Sequence, residues 1–120
     1  MILSPRKLIQ SFRFALKGIW YVFKKEQNLR IELVIAAGVI VMMFIYKLTI
    51  MERVALLMLI IAVLVLEIFN TIIERVVDMA SPRLHPLAET IKNMTAGTVL
   101  ITATFAVVIA IIIFYPHIFG

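Results

Sequence analysis

Between Glu67 and Asp78 the chain reads Glu-Ile-Phe-Asn-Thr-Ile-Ile-Glu-Arg-Val-Val-Asp. On a helix of 3.6 residues per turn, with Glu67 at zero, Asn70, Thr71, Glu74 and Asp78 fall at about −60°, +40°, −20° and +20°. Three carboxylates, Glu67, Glu74 and Asp78, and the Asn70 amide therefore share one face, with Thr71 completing its polar surface. An acidic side chain at the centre of a membrane helix costs roughly 2.5–3.5 kcal/mol, less near the interface, so such a face needs partners or a task. One task is general-base catalysis of phosphoryl transfer, a reaction that asks mostly for positioning and charge neutralisation. Glu67 is the natural base, at a depth that suits a lipid hydroxyl. A second polar cluster, Glu26-Gln27-Asn28-Leu29-Arg30, precedes the first apolar run at the expected depth of Glu74. Glu26 and Glu74 could share a hard cation such as Mg²⁺, which usually takes one or two carboxylates plus substrate phosphates and keeps several waters. Lys92 lies on the same side as a candidate phosphate contact. The same groups equally suit plain interhelical hydrogen bonds and salt bridges, for example to Arg30 or Lys92.

Other chemistries are excluded by what is missing. The only glycines are Gly18, Gly38, Gly97 and Gly120, so neither a P-loop nor a dinucleotide fingerprint exists. The chain has no cysteine, which removes disulfides, thiolate metal sites and thiol nucleophiles. His85 and His117 have no second ligand at metal spacing, and Ser81 has no His and Asp partners of a hydrolytic triad.

The elements that must position these groups are membrane helices. Of 120 residues, 63% are hydrophobic and 16% charged, against about 45–50% and about 25% in soluble domains. The surplus apolar surface needs lipid or a very large partner. Ser4 and Pro5 mark a helix start as N-cap and first helical residue. From there to about residue 27, Leu8, Phe12, Leu16, Ile19 and Phe23 form one stripe beside a cationic face of Arg6, Arg13, Lys17 and Lys24. That pattern predicts an amphipathic helix on the membrane surface, its positive face against anionic headgroups and Trp20 and Tyr21 at interfacial depth. Packing of the same helix on the bundle is the alternative. Leu33 to Tyr46 carries no charge, but its 14 residues span only ~21 Å of a ~30 Å hydrocarbon core. The first transmembrane helix must therefore extend over about 30–47, with Arg30 and Lys47 snorkelling. Leu48 to Arg53 reads as a short loop, and the second span covers about 54–79 and protrudes from the bilayer. Two prolines between Ala80 and Pro86 break it. The third span covers about 87–115. The expected fold is all-α, a single membrane domain over 1–120 with a surface helix and three transmembrane helices.

Charge sets the expected orientation. Of twelve Lys and Arg, seven precede the first span, three lie between the second and third, and two lie in the remaining loop. Ten against two puts the N-terminus in the cytoplasm and the C-terminus outside. The excess of five positive charges thus reads as membrane topology, with no nucleic acid implied. The first thirty residues have neither the compact apolar core nor the cleavage site of a signal peptide, so the mature chain is expected to start at Met1.

Ser11–Gly18 (SFRFALKG), Glu26–Ile31 (EQNLRI), Glu67–Asp78 (EIFNTIIERVVD), His85–Ala88 (HPLA) and Ala96–Leu100 (AGTVL) together resemble the small prokaryotic diacylglycerol kinase and undecaprenol kinase family, nearly end to end. The resemblance implies a homotrimer in the bacterial cytoplasmic membrane, active sites at subunit interfaces, and transfer of the ATP γ-phosphate to a lipid hydroxyl. Carried over by position, it implies Glu67 as general base and Glu26 and Glu74 as ligands of Mg²⁺. It also implies Asn70, Lys17 and Lys92 as polar contacts around substrate and nucleotide phosphates. The family commonly has Lys-Asp where this chain has Lys92-Asn93, and Lys where it has Glu89. Asn93 brings no negative charge to the nucleotide end, so weaker ATP binding is expected. The Glu26–Ile31 and HPLA pieces look closer to the Gram-positive type, which favours undecaprenol, with diacylglycerol second. A non-catalytic homologue, kept for assembly or passing ions at Glu67, is the rival from another class.

Overall fold

The computed structural model of the protein describes residues 4–80 and 86–120, which fold as four helices: α1 (Pro5–Lys25), α2 (Gln27–Ile45), α3 (Ile50–Ala80) and α4 (Pro86–Phe119). Ser4 is extended (φ −104°, ψ 123°) and Pro5 opens α1, but the Ser4 side chain makes no capping bond. Its carbonyl instead accepts the Leu8 N–H at 3.0 Å.

α1 ends two residues before the expected 27, because Glu26 is extended (φ −110°, ψ 111°). One residue thus serves as C-cap of α1, donating its N–H to the Val22 carbonyl at 2.8 Å, and as N-cap of α2. The helix expected at 30–47 accordingly starts at Gln27 and stops at Ile45, with Tyr46 as its cap. Its 19 residues reach about 28 Å, close to the thickness of the hydrocarbon core.

The loop expected over Leu48–Arg53 is shorter. Thr49 and Glu52 form a reciprocal capping box: the Thr49 N–H donates to Glu52 Oε1 at 2.9 Å, and the Glu52 N–H donates to Thr49 Oγ1 at 3.1 Å. With those donors satisfied, α3 begins at Ile50 rather than 54 and runs 31 residues. The expected break at Ser81–His85 falls outside the described residues; α3 ends at Ala80 and Pro86 opens α4. α4 continues past Tyr115 through Pro116. A proline there removes only the bond its own N–H would make one turn back, and the Gly120 N–H closes the end on the Pro116 carbonyl at 2.9 Å. At about 46 and 51 Å, α3 and α4 are longer than a bilayer core is thick.

α3 packs most extensively on α4, α2 on α3, and α1 touches α2. Among the described residues a core cluster forms at one end, from Met43, Leu48, Leu56 and Phe114, with Tyr46 edge-on to Phe114 at 6.2 Å. At that end His117 Nε2 meets Glu52 Oε1 at 3.3 Å and ties α4 to α3. Elsewhere most apolar side chains are exposed, although Val22, Leu29 and Ala36 are buried. The chain exposes 9446 Å², whereas a folded soluble monomer of this mass exposes about 6,600 Å². Phe44 and Ile50 are 87% and 79% exposed, and α2, α3 and α4 are each long and apolar enough to cross a membrane. A cavity of about 450 Å³ between them is lined by Glu32, Ala36, Val39, Ile60, Ala106 and Phe114 among others.

Candidate functional site

The polar residues gather at the end opposite that core. Glu67 is only 2% exposed and Thr71 likewise 2%. Both lie on the face of α3 that the 3.6-residue period assigned to them. The Thr71 hydroxyl donates to the Glu67 carbonyl at 3.1 Å, a bond internal to the helix. The Glu67 carboxylate lies at the α1–α2 junction, where the Asn28 side chain, Glu26 and Glu74 act on it electrostatically. The break at Glu26 makes this arrangement: ending α1 there turns Glu26 and Asn28 toward α3.

One turn on, Asn70 links two helices. Its Nδ2 donates to Glu74 Oε1 at 3.2 Å, and its Oδ1 accepts from the Thr95 hydroxyl of α4 at 2.7 Å. Farther along, Lys92 Nζ donates to Asp78 Oδ1 at 2.9 Å, joining α4 to α3. Glu26, Glu67, Asn70, Glu74, Asp78, Lys92 and Thr71 therefore fall in one connected region. Lys17 does not join it: its ammonium lies on α1 over the Phe14 ring at 5.8 Å. Asn93 is exposed on α4 and makes no hydrogen bond to that region among the described residues.

Four groups in or beside the cluster were not singled out as site residues by sequence reasoning. Arg75 Nη2 donates to Glu26 Oε1 at 3.0 Å and its Nε donates to the Tyr21 hydroxyl at 3.4 Å. Thr95 fixes the Asn70 amide. Asn28 approaches Glu67. Glu32, a turn and a half along α2 from Glu26, has a buried carboxylate oxygen without a hydrogen-bond partner and interacts electrostatically with Glu67. Only the acidic residue at a helix depth where charge is costly could have flagged Glu32; the contacts of Arg75 and Thr95 join residues 49 and 25 positions apart. Arg30 turns away from the carboxylates and caps α1, its Nη1 donating to the carbonyls of Phe23 and Lys24 at 2.7 and 2.9 Å.

As a cation site the cluster offers hard oxygen donors only. No group of three or more His, Cys, Asp or Glu suited to an ion occurs among the described residues. The pair Glu26 and Glu74 fits a cation that completes its shell with water and substrate phosphates, as Mg²⁺ does, and does not fit an all-protein cage. A buried carboxylate beside two further carboxylates, an amide and a nearby lysine can take a proton from a neutral hydroxyl and hold a polyphosphate at hand.

Comparison with known proteins places these residues in context. Residues 13–114 match the family model described as prokaryotic diacylglycerol kinase. The chain is 34% identical over 110 residues to an undecaprenol kinase of Bacillus subtilis, covering 92% of this chain and 89% of that protein. It is 34% identical over 103 residues to a diacylglycerol kinase of Synechocystis, spanning 85% of this chain and 59% of that longer protein. It is 30% identical over 94 residues to a diacylglycerol kinase of Haemophilus influenzae, with 78% and 80% covered.

Proposed function

Because the chain belongs to the prokaryotic diacylglycerol kinase family, we propose that it transfers the γ-phosphate of ATP to the hydroxyl of a membrane lipid, with Glu67 as general base. The observation that carries this reading is the burial of Glu67 at 2% exposure beside Asn28, Glu26 and Glu74, at a level where α2 and α3 are still apolar enough to meet a lipid. Glu67 removes the hydroxyl proton as the lipid oxygen attacks the γ-phosphorus. The bond from that phosphorus to the β,γ-bridging oxygen breaks, and ADP leaves with the electron pair. Asn28 orients the Glu67 carboxylate, while Asn70, fixed by Thr95, orients Glu74. Lys92, released from Asp78, meets the phosphate oxygens. Glu26 and Glu74 would hold Mg²⁺, which would neutralise charge on those oxygens.

Undecaprenol is the first choice of acceptor, supported by the relative matched over nine-tenths of both chains, an undecaprenol kinase. Diacylglycerol is the second. The assembly is a homotrimer in the bacterial cytoplasmic membrane, with α1 along its inner surface, the N-terminus in the cytoplasm and the C-terminus outside. α1 carries six Lys and Arg and no acid, and its Leu8, Phe12, Leu16 and Trp20 are all more than half exposed, as a helix lying on anionic lipid requires.

The test is transfer of labelled γ-phosphate from Mg-ATP to undecaprenol and diacylglycerol in parallel mixed micelles, with wild type beside Glu67→Gln. Labelled lipid in wild type and a loss of about 10²- to 10⁴-fold in the variant are expected. No label on either lipid from a folded oligomer would overturn the reading in favour of a non-catalytic homologue.

A further inference from the structure

Arg75 is the one cation directly bonded to a carboxylate of the Glu26, Glu67 and Glu74 group among the described residues. Its Nη2 lies 3.0 Å from Glu26 Oε1, with the Arg75 side chain 40% exposed and that of Glu26 21% exposed. The Nε bond to the Tyr21 hydroxyl, at 3.4 Å, ties the same guanidinium to the last turn of α1. The nearby cations are engaged elsewhere: Arg30 on the carbonyls of α1 and Lys92 on Asp78. Glu26 and Glu74 each act repulsively on Glu67, and Glu26 carries its carboxylate on a residue that is itself the break between two helices. An arrangement of this kind needs a positive charge to stay together when no cation is bound.

The geometry points to Arg75 as a resident cation that holds Glu26, and through Tyr21 the end of α1, until a divalent ion takes the Glu26 carboxylate. This inference rests on the proposed use of Glu26 and Glu74 as metal ligands. A guanidinium 3.0 Å from Glu26 Oε1 and a divalent cation on the same carboxylate repel one another, so metal binding works against the Arg75 contact and favours its release. A half-exposed arginine with a flexible stem can move out without unpacking α3. Arg75 is thus a positioning residue that lowers the affinity of the site for metal while keeping it assembled. An arginine that only propped Glu26 in place would have the opposite effect, since its loss would misplace a ligand and weaken metal binding.

The experiment is direct Mn²⁺ binding, followed by the loss of free-ion electron paramagnetic resonance signal, with the full chain in phosphatidylcholine nanodiscs and no ATP. Wild type is compared with Arg75→Met, which keeps much of the stem, Arg75→Lys, which keeps the charge, and Glu26→Gln. Arg75→Met should bind Mn²⁺ about 3- to 10-fold more tightly, and Arg75→Lys should stay within about twofold of wild type. The single Trp, Trp20, stands next to Tyr21 and reports the release: Mn²⁺ should change its emission in wild type, and Arg75→Met should already show the changed emission before metal is added. Unchanged or weaker Mn²⁺ binding in Arg75→Met, with Glu26→Gln still impaired, would overturn the role of Arg75 and leave the metal ligands standing. Wild-type binding that is absent, or indifferent to Glu26→Gln, would overturn both.

Discussion

At the scale of single residues, the site contains one substitution with a measurable expectation. Asn93 stands beside Lys92 on α4, exposed, and Lys92 is held 2.9 Å from Asp78. A carboxylate at position 93 would add a second acceptor near the lysine and a hard ligand at the nucleotide end, where charge-assisted bonds are roughly twice as strong as neutral ones. Asn93→Asp should therefore lower the apparent KM for ATP by about 3- to 10-fold with little change in kcat. A KM that stays the same or rises under saturating lipid would show that the missing carboxylate at position 93 does not weaken nucleotide binding. The residues that were legible in the sequence are those of one helix. Glu67, Asn70, Thr71, Glu74 and Asp78 share a face because the period of an α-helix is known in advance. Arg75 and Thr95 were not legible, since their partners Glu26 and Asn70 lie 49 and 25 positions away and only packing decides which cation or hydroxyl reaches which acceptor. Lys17 shows the converse: a lysine on the right helix turns to Phe14 instead.

At the scale of elements, the number of spans followed from apolar length, whereas their ends followed from caps. The start of α3 is the clearest instance. Thr49 and Glu52 stand at the spacing of a capping box, yet the apolar runs alone leave Leu48–Arg53 between two spans as a loop. The box satisfies two orphan donors, and Glu52 also reaches His117 at 3.3 Å, so one side chain both starts α3 and binds the last turn of α4. Thr49→Ala removes the hydroxyl acceptor while leaving the Glu52 carboxylate in place. It should cost about 1 kcal/mol, seen as a lowered thermal midpoint in micelles with KM for ATP unchanged. A shift in KM of more than twofold would mean that the end bearing the core and the end bearing the carboxylates are coupled along α3. The break at Glu26 was hidden for a different reason. No Gly or Pro marks it, and the helical periods on either side run on across it. What ends α1 is the turn that presents Glu26 to Arg75, with Arg30 capping the carbonyls left behind.

At the scale of the whole molecule, the open shape and the closed site together bear on assembly. A chain that exposes 9446 Å², with a groove of about 450 Å³ along three spans, leaves far more apolar surface than one compact unit would, and a closed ring of copies covers such surface efficiently. The trimer proposed from the family should appear in native mass spectra at about three times the 13.7 kDa chain mass. A sharper question is which chain supplies which group. Glu26 and Glu74 act on Glu67 within a single chain, so the proposed reaction does not require carboxylates from a neighbour. Two inactive variants, Glu67→Gln and Glu74→Gln, unfolded together and refolded into mixed trimers, should consequently recover no activity, because every chain carries a defect in its own cluster. Recovery to about a quarter of wild type, the fraction expected if one group of each site crosses a subunit boundary at random mixing, would place Glu67 and Glu74 of a working site on different chains. The neighbour's share would then be the carboxylate itself. If nothing is recovered while the mixed species is seen by mass, Glu67 and Glu74 of a working site belong to the same chain.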